Sequence, residues 1–193
     1  ARQDVQRLRA QSAAILSTSA TVLADDPSLT VRWDELDAET QHLYPRDNLR
    51  QPLRILLDSQ NRITPQHRVV QQPGATWLAR LQADEQAWPQ GVEQFICPAH
   101  GGGVDLVVMM MLLAKRQVNS IWVEAGATLA GALLQAGLVD ELILYIAPKL
   151  LGDNGRGLCH LPGLERLADA PEFVFSDVRQ VGPDLRLRLR AKH

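Results

Sequence analysis

SIWVEAGATLAGALLQAGLVDELILYIAPKLLG, residues 120–152, is the stretch from which the rest of the chain is read. Ile121 to Glu124 is a short run with two β-branched residues and a tryptophan, the pattern of a strand. It stops at Ala125-Gly126, where glycine admits backbone angles closed to other residues. Leu129, Leu133 and Leu134 then recur at helical spacing, Thr128 falls in the first turn, and Gly137 is placed to cap the helix C-terminus. Asp140 to Ala147 reads as a second buried strand. A strand, turn and helix in this order direct the unpaired N–H groups of the helix N-terminus away from the strand end, where they suit a phosphate or pyrophosphate. The turn carries neither the G-x-G-x-x-G of a dinucleotide fold nor the GK[ST] of a P-loop. Two readings therefore stand: ligand chemistry near Glu124 and Gly126, or plain packing of helix on sheet with Gly126 permitting a close approach.

Composition narrows the class. The 193 residues suit one domain with one core, and 46% hydrophobic against 22% charged residues is the balance of a folded globular chain. The apolar run from Leu106 to Ala114 is too short to span a membrane, and the N-terminus is polar. A net charge of −2 gives no broad basic field for nucleic acid, although a few local arginines could still hold a small anion. Cys97 and Cys159 are too few and too far apart for a disulfide framework or a zinc site, which favours a reducing cytoplasm.

Taken in order, Asp4 to Ala10 reads as a short helix with Val5 and Leu8 at i, i+3, and Ala13 to Leu16 as a strand. Ser17-Thr18-Ser19 offers hydroxyls to cap a helical turn through Leu23. Asp25-Asp26-Pro27 must turn, because proline disfavours helix in the residue before it; the two aspartates are turn formers or site residues. Trp33 to Leu49 shows no sustained period and reads as a long surface excursion. Leu53 to Asp58 is a buried strand ending at Ser59, a turn residue or a ligand contact, since strand carboxyl ends surround ligands in α/β sheets. Thr76 to Ala79 and Glu93 to Cys97 are further strands, and His100-Gly101-Gly102-Gly103 is a flexible joint. Asp105 opens a helix to about Gln117 whose Met109, Met110 and Met111 fill the core. Asp153 to Gly157 and Leu161 to Gly163 are loops. Glu172 to Val181 and Leu185 to Arg190 form a hairpin in which Arg186, Arg188 and Arg190 share one solvated or dimer-facing side.

The run EAGATLAGALL from Glu124, the LVDEL and APKLLG that follow it, and TVLADDPSLTVR from Thr21 to Arg32 together resemble the reductase domain of bacterial riboflavin biosynthesis. That domain is the C-terminal half of a bifunctional deaminase-reductase. The resemblance implies an α/β fold, a dihydrofolate-reductase-like mixed sheet flanked by helices, over residues 1–193 as a single reductase domain. It implies NADPH as cofactor and 5-amino-6-(5-phosphoribosylamino)uracil as substrate, whose ribose is reduced to a ribityl chain. Carried over position by position, Thr21, Asp25, Ser59 and the turn Gly126, Ala127, Thr128, Leu129, Ala130, Gly131 and Ala132 contact the cofactor. Arg9, Leu29, Arg32 and Glu124 hold the substrate, and Asp25 and Glu124 are the candidate acids. The resemblance further implies a homodimer, and a zinc deaminase domain preceding this one in the full-length protein. The H-x-E and P-C-x-x-C of that partner do not occur here. The chain opens at Ala1, downstream of a first strand present in similar proteins, and so reads as N-terminally truncated. Two other classes of reading follow: a non-catalytic remnant or dimerisation module, and a related NADPH reductase acting on a pterin or other carbonyl compound.

Overall fold

In a computed structural model, which describes residues 1–192, the chain divides into two compact units, one from Arg2 to Ala125 and the other beginning at Gly126. The first unit runs α1 (Arg2–Gln11), β1 (Ala14–Thr18), α2 (Ser19–Asp25), α3 (Ala38–Leu43), β2 (Leu53–Leu57), α4 (Arg68–Gln71), β3 (Thr76–Arg80), β4 (Val92–Ile96), a ribbon of β5 (Ala99–His100) and β6 (Gly103–Val104), α5 (Leu106–Lys115) and β7 (Ile121–Val123). The second unit holds α6 (Ala127–Gln135), β8 (Glu141–Ile146), β9 (Phe173–Val181) and β10 (Asp184–Ala191).

The first unit is built on a parallel sheet in the order β4-β3-β2-β1-β7. Ile15, Leu16, Ile55, Leu56 and Leu78 are all fully buried, adjacent residues included, which is the pattern of strands covered on both faces. Such strands read as continuous apolar runs, and for that reason β1 to β3 were legible in the sequence. Asp105 caps α5, its Oδ1 accepting from Val108 N at 3.0 Å. Thr18 caps α2 in the same way, accepting from Thr21 N at 3.2 Å.

The strongest polar feature of this sheet lies inside it. Arg80 and Asp58 are both fully buried, and Arg80 donates from Nε and Nη2 to Asp58 Oδ2 at 3.1 and 2.8 Å. Arg80 Nη1 reaches Asp84 Oδ2 at 2.6 Å, and the guanidinium lies 4.9 Å from the centre of the Trp88 ring. The rest of the Asp58 carboxylate accepts the backbone N–H groups of Arg62 and Ile63, at 2.8 and 3.1 Å. A second buried guanidinium, Arg54, donates to Thr76 Oγ1 and to the carbonyls of Gln72, Pro73 and Gly74, and its burial lowers its pKa from the usual value.

Several sequence expectations are corrected. Trp33 to Leu49 is not a bare surface excursion: Leu36 and Thr40 are buried, Leu36 joining Ala10 and Val31 in a small core, and Asp37 caps α3. The backbone N–H of Thr40, bonded to the Asp37 carboxylate at 2.8 Å, lowers the pKa of Asp37. His100 to Gly103 is a two-stranded ribbon turning on Gly101 and Gly102, which both take positive φ, rather than a joint without structure. Of the three methionines only Met109 is core; Met111 is exposed.

In the second unit the strands pair antiparallel in the order β8-β10-β9. Asp140 to Ala147 therefore yields a half-buried outer strand, β8, rather than a buried one. β10 lies at the centre, so Arg186 and Arg188 are not a solvated fringe, while Arg190 is exposed. Arg186 is buried and donates to Asp177 at 2.8 Å, and Arg188 pairs with Glu141 at 2.7 Å. Hydrogen bonds from Arg179 and Arg186 hold the Asp177 carboxyl down to about 2. The opposite face carries Leu185, Leu187 and Leu189, with Ile146, Val178 and Phe175 across from them. Among the described residues no helix is long and apolar enough to cross a membrane.

Removing one partner of a fully buried ion pair strands the other charge. Arg80→Ala is therefore expected to cost about 3–5 kcal/mol of unfolding free energy, measured by urea denaturation. Arg166→Ala, which breaks an exposed pair with Asp169, is expected to leave the unfolding midpoint nearly unchanged in the same experiment.

Candidate functional site

All strands of the first sheet are parallel, so their carboxyl ends lie along one edge. From β1 the chain steps outward through β2, β3 and β4, then returns to place β7 on the other side of β1. The edge between β1 and β7 is therefore a topological switch point, the place where open α/β sheets take their ligands. Ser17 and Glu124 meet there: Glu124 N donates to Leu16 O at 2.9 Å, and Ser17 Oγ donates to Glu124 O at 2.7 Å.

Two residues singled out separately in the sequence join at this point. Arg9 donates from Nε and Nη2 to the two Glu124 oxygens, both at 2.7 Å, a fork that binds a carboxylate with both arms. Arg9 Nη1 donates to Thr30 O at 2.8 Å, and Trp122 Nε1 adds a further donor to Glu124 Oε1 at 2.7 Å. Glu124 is thus an oriented acceptor, and Arg9 is committed to orienting it.

The segment leading to Arg32 is held by side-chain amides in place of a strand neighbour. Gln6, buried on α1, accepts from Arg32 N at 2.9 Å; Gln51 accepts from Val31 N at 2.8 Å and donates back to Val31 O at 3.0 Å. Arg32 itself is exposed and pairs with Glu35 at 2.7 Å. Leu29 has φ 49° yet its side chain is buried in the core with Ile15, Val22 and Leu56, so only its main chain is free to meet a ligand. Nothing in the sequence flags Gln6 or Gln51, because a glutamine has no periodic or motif signal; only the backbone groups it satisfies reveal it.

At the ends of β1 and β2, the Thr18 and Thr21 hydroxyls lie 3.2 Å apart. Asp25 is exposed at the end of α2, whose cap, Asp26, takes φ 40° and accepts from Arg68 N. Ser59 follows β2 at once, its Oγ accepting from Val104 N at 3.2 Å. Thr21, in the first turn of α2 after β1, and Ser59, just beyond β2, thereby follow neighbouring strands at one sheet edge.

In the second unit, Gly126 is the N-cap of α6 and no side chain caps that helix. A Cβ at Gly126 would meet nothing within 4 Å, and its φ is −76°, an angle any residue adopts. The expectation that glycine is needed there for backbone freedom or close approach is corrected. The close approach is at Gly131, where a Cβ would stand 1.8 Å from His160 O, because His160 N donates to Ala127 O at 2.9 Å and lays the loop backbone on the helix. The open first turn of α6, with uncapped N–H donors, fits a phosphate.

Other chemistries find less support. Among the described residues no group of three or more His, Cys, Asp or Glu side chains is arranged to hold a metal ion. Burial pushes the Cys97 thiol up to about 11, which leaves it unreactive at neutral pH.

A parallel sheet flanked by helices, with an oriented carboxylate at its switch point, marks an α/β domain of dihydrofolate-reductase-like fold. Residues 1–187 match the family described as RibD C-terminal domain, and the chain belongs to that family. It is 70% identical over 98% of its length to the riboflavin biosynthesis protein RibD of Escherichia coli, of which it covers 52%. It is 41% identical over its whole length to the 5-amino-6-(5-phosphoribosylamino)uracil reductase of Buchnera aphidicola, of which it covers 93%. Among solved structures, RibD of Acinetobacter baumannii matches 99% of this chain with a TM-score of 0.78 and 33% identity, over 50% of that protein. The chain thus spans about half the length of the RibD proteins it matches.

Gly131→Ala is expected to destabilise the protein by about 1–3 kcal/mol, since backbone must move to admit the methyl group. Gly126→Ala is expected to leave thermal unfolding within about 0.5 kcal/mol of the parent. Equal effects of the two substitutions in a melting experiment would contradict the packing described.

Proposed function

We propose that this chain is a single reductase domain, residues 1–193, that reduces the ribose of 5-amino-6-(5-phosphoribosylamino)uracil to a ribityl chain with NADPH, in the cytoplasm. The observation that carries the reading is the Arg9–Glu124 fork at the switch point, on a chain that is a family member along nearly its whole length. When bound, NADPH supplies the hydride for the sugar C1.

The protein's own part is orientation and proton supply. Glu124, fixed by Arg9 and Trp122, offers acceptor oxygens whose position does not drift, which suits hydroxyl groups of the open sugar. Arg32 is exposed beside a single carboxylate and is the cation for the substrate phosphate, with the Leu29 main chain beside it in sequence. Two candidate acids then separate by environment. Oε1 of Glu124 is filled by Arg9 and Trp122 and Oε2 keeps one lone pair for the sugar, whereas Asp25 is exposed and relays a proton from water to the sugar nitrogen. Thr21, Asp25 and Ser59 are the coenzyme contacts of the first unit. Gly126 to Ala132 are those of the second, where uncapped N–H groups receive phosphate oxygens.

A homodimer belongs to the same proposal, and so does a zinc deaminase domain in the part of the RibD relatives that this chain does not cover. Exposed Phe175, Val178, Ile146 and Leu185 on one face of the second unit's sheet suit contact with a second copy. Sedimentation is expected to show a dimer that Phe175→Asp weakens; unchanged association would place the contact elsewhere.

The test of activity is titration with NADPH followed by turnover of the phosphoribosylamino-uracil. Micromolar NADPH binding is expected, lost when Gly126 is replaced by a bulky residue. Asp25→Asn is expected to lower turnover by roughly 100-fold or more with unfolding unchanged. Full turnover in that variant would remove Asp25 from the chemistry.

A further inference from the structure

We propose that Arg62 selects NADPH over NADH by binding the 2′-phosphate of the coenzyme; the inference rests on the coenzyme reading above. Its first support is charge. Arg9, Arg32, Arg68 and Arg80 each lie within salt-bridge distance of a carboxylate. Arg62 is exposed and has no carboxylate partner among the described residues; its one side-chain bond runs from Nη2 to Ser19 Oγ at 2.9 Å. A guanidinium has five N–H donors, so four remain for a ligand, enough to grip two oxygens of one phosphate.

The second support is how firmly the residue is placed. Arg62 belongs to the loop that follows β2, and the buried Asp58 carboxylate holds that loop by the backbone N–H groups of Arg62 and Ile63. Arg80 holds the same loop through Ile63 O at 3.0 Å. Arg62 is therefore fastened at its backbone by a fully buried ion pair and at its tip by Ser19. A free surface arginine would have neither tether.

The third support is the neighbourhood. Ser19 stands two residues before Thr21, and Ser59 three residues before Arg62, so the side chain bridges the two strand ends that carry the proposed coenzyme contacts. Both serine oxygens already accept a hydrogen bond, Ser19 from Arg62 and Ser59 from Val104 N. Their own hydroxyl protons are left to donate. A cation with two nearby donor hydroxyls suits a dianionic phosphate monoester better than the singly charged phosphates of a dinucleotide bridge. Two ligands carry such a monoester, the 2′-phosphate of NADPH and the ribose phosphate of the substrate. Position on the segments of Ser59 and Thr21 assigns Arg62 to the first.

The experiment is calorimetric titration of the parent protein and Arg62→Gln with NADPH, NADH and ribose 5-phosphate. Loss of charge-assisted hydrogen bonds is expected to weaken NADPH roughly 10- to 100-fold while NADH and ribose 5-phosphate keep their affinities. Ser19→Ala, which frees the tip of Arg62 but retains its charge, is expected to weaken NADPH alone and by less. Unchanged melting temperatures in both variants would exclude a folding defect. Equal loss of both coenzymes, or loss of neither, overturns the proposal while the coenzyme reading stands. Weakened ribose 5-phosphate binding overturns it by moving Arg62 to the substrate. If the parent protein bound neither coenzyme, the coenzyme reading would fall and this inference with it.

Discussion

A carboxylate and a guanidinium shut away from water can coexist only if each satisfies the other, and Asp58 and Arg80 do so at the carboxyl ends of β2 and β3. Because Asp58 also accepts two backbone N–H groups of its own loop, the pair does more than neutralise itself. It converts the exit of β2 from a free turn into a fixed one, and Ser59 and Arg62 take their places from it. Replacing such a pair by apolar residues of equal volume need not weaken a fold, so its value here lies in where it points the loop.

The same economy governs the other half of that edge. Arg9 on α1 and Glu124 after β7 are 115 residues apart in the chain, and their fork closes the first unit across its switch point. The carboxylate gains direction and the helix gains an anchor. Gln6, one turn earlier on α1, takes up the backbone of the Arg32 segment, so a single helix face orients both Glu124 and the chain that leads to Arg32. Burial of a glutamine at that position is intelligible only in these terms.

Most of the framework was legible in the sequence because a parallel sheet buried on both faces writes itself as apolar runs. LRILLD and the runs around Ile15 and Trp77 needed no partner to be recognised. The proposed site residues were singled out only through resemblance: Thr21, Asp25 and Ser59 have ordinary turn chemistry, and neither Arg9 nor Glu124 announces the other across the chain. What the sequence could not convey was pairing. Leu185 to Arg190 reads as an alternating, half-exposed strand whether it lies at the edge or the centre of a sheet, and Arg186 and Arg188 become structural only because Asp177 and Glu141 stand opposite. Gly126 and Gly131 look alike in a string of letters, yet only the loop backbone at His160 makes one of them irreplaceable.

β1 sits between β2 and β7, and Ser17 on it bonds to a residue 107 positions later. During synthesis at about 5–20 residues per second, the growing chain carries β1 with one side open for roughly 5–20 s before β7 exists to close it. Contacts of such sequence separation also slow folding once the chain is complete, since loop closure precedes the reward of pairing. Thr18 and Asp105, by capping α2 and α5 locally, give the early segments structure that does not wait for the far end of the chain. The last strand of this sheet to arrive therefore closes the first, and the switch point between β1 and β7 forms only then.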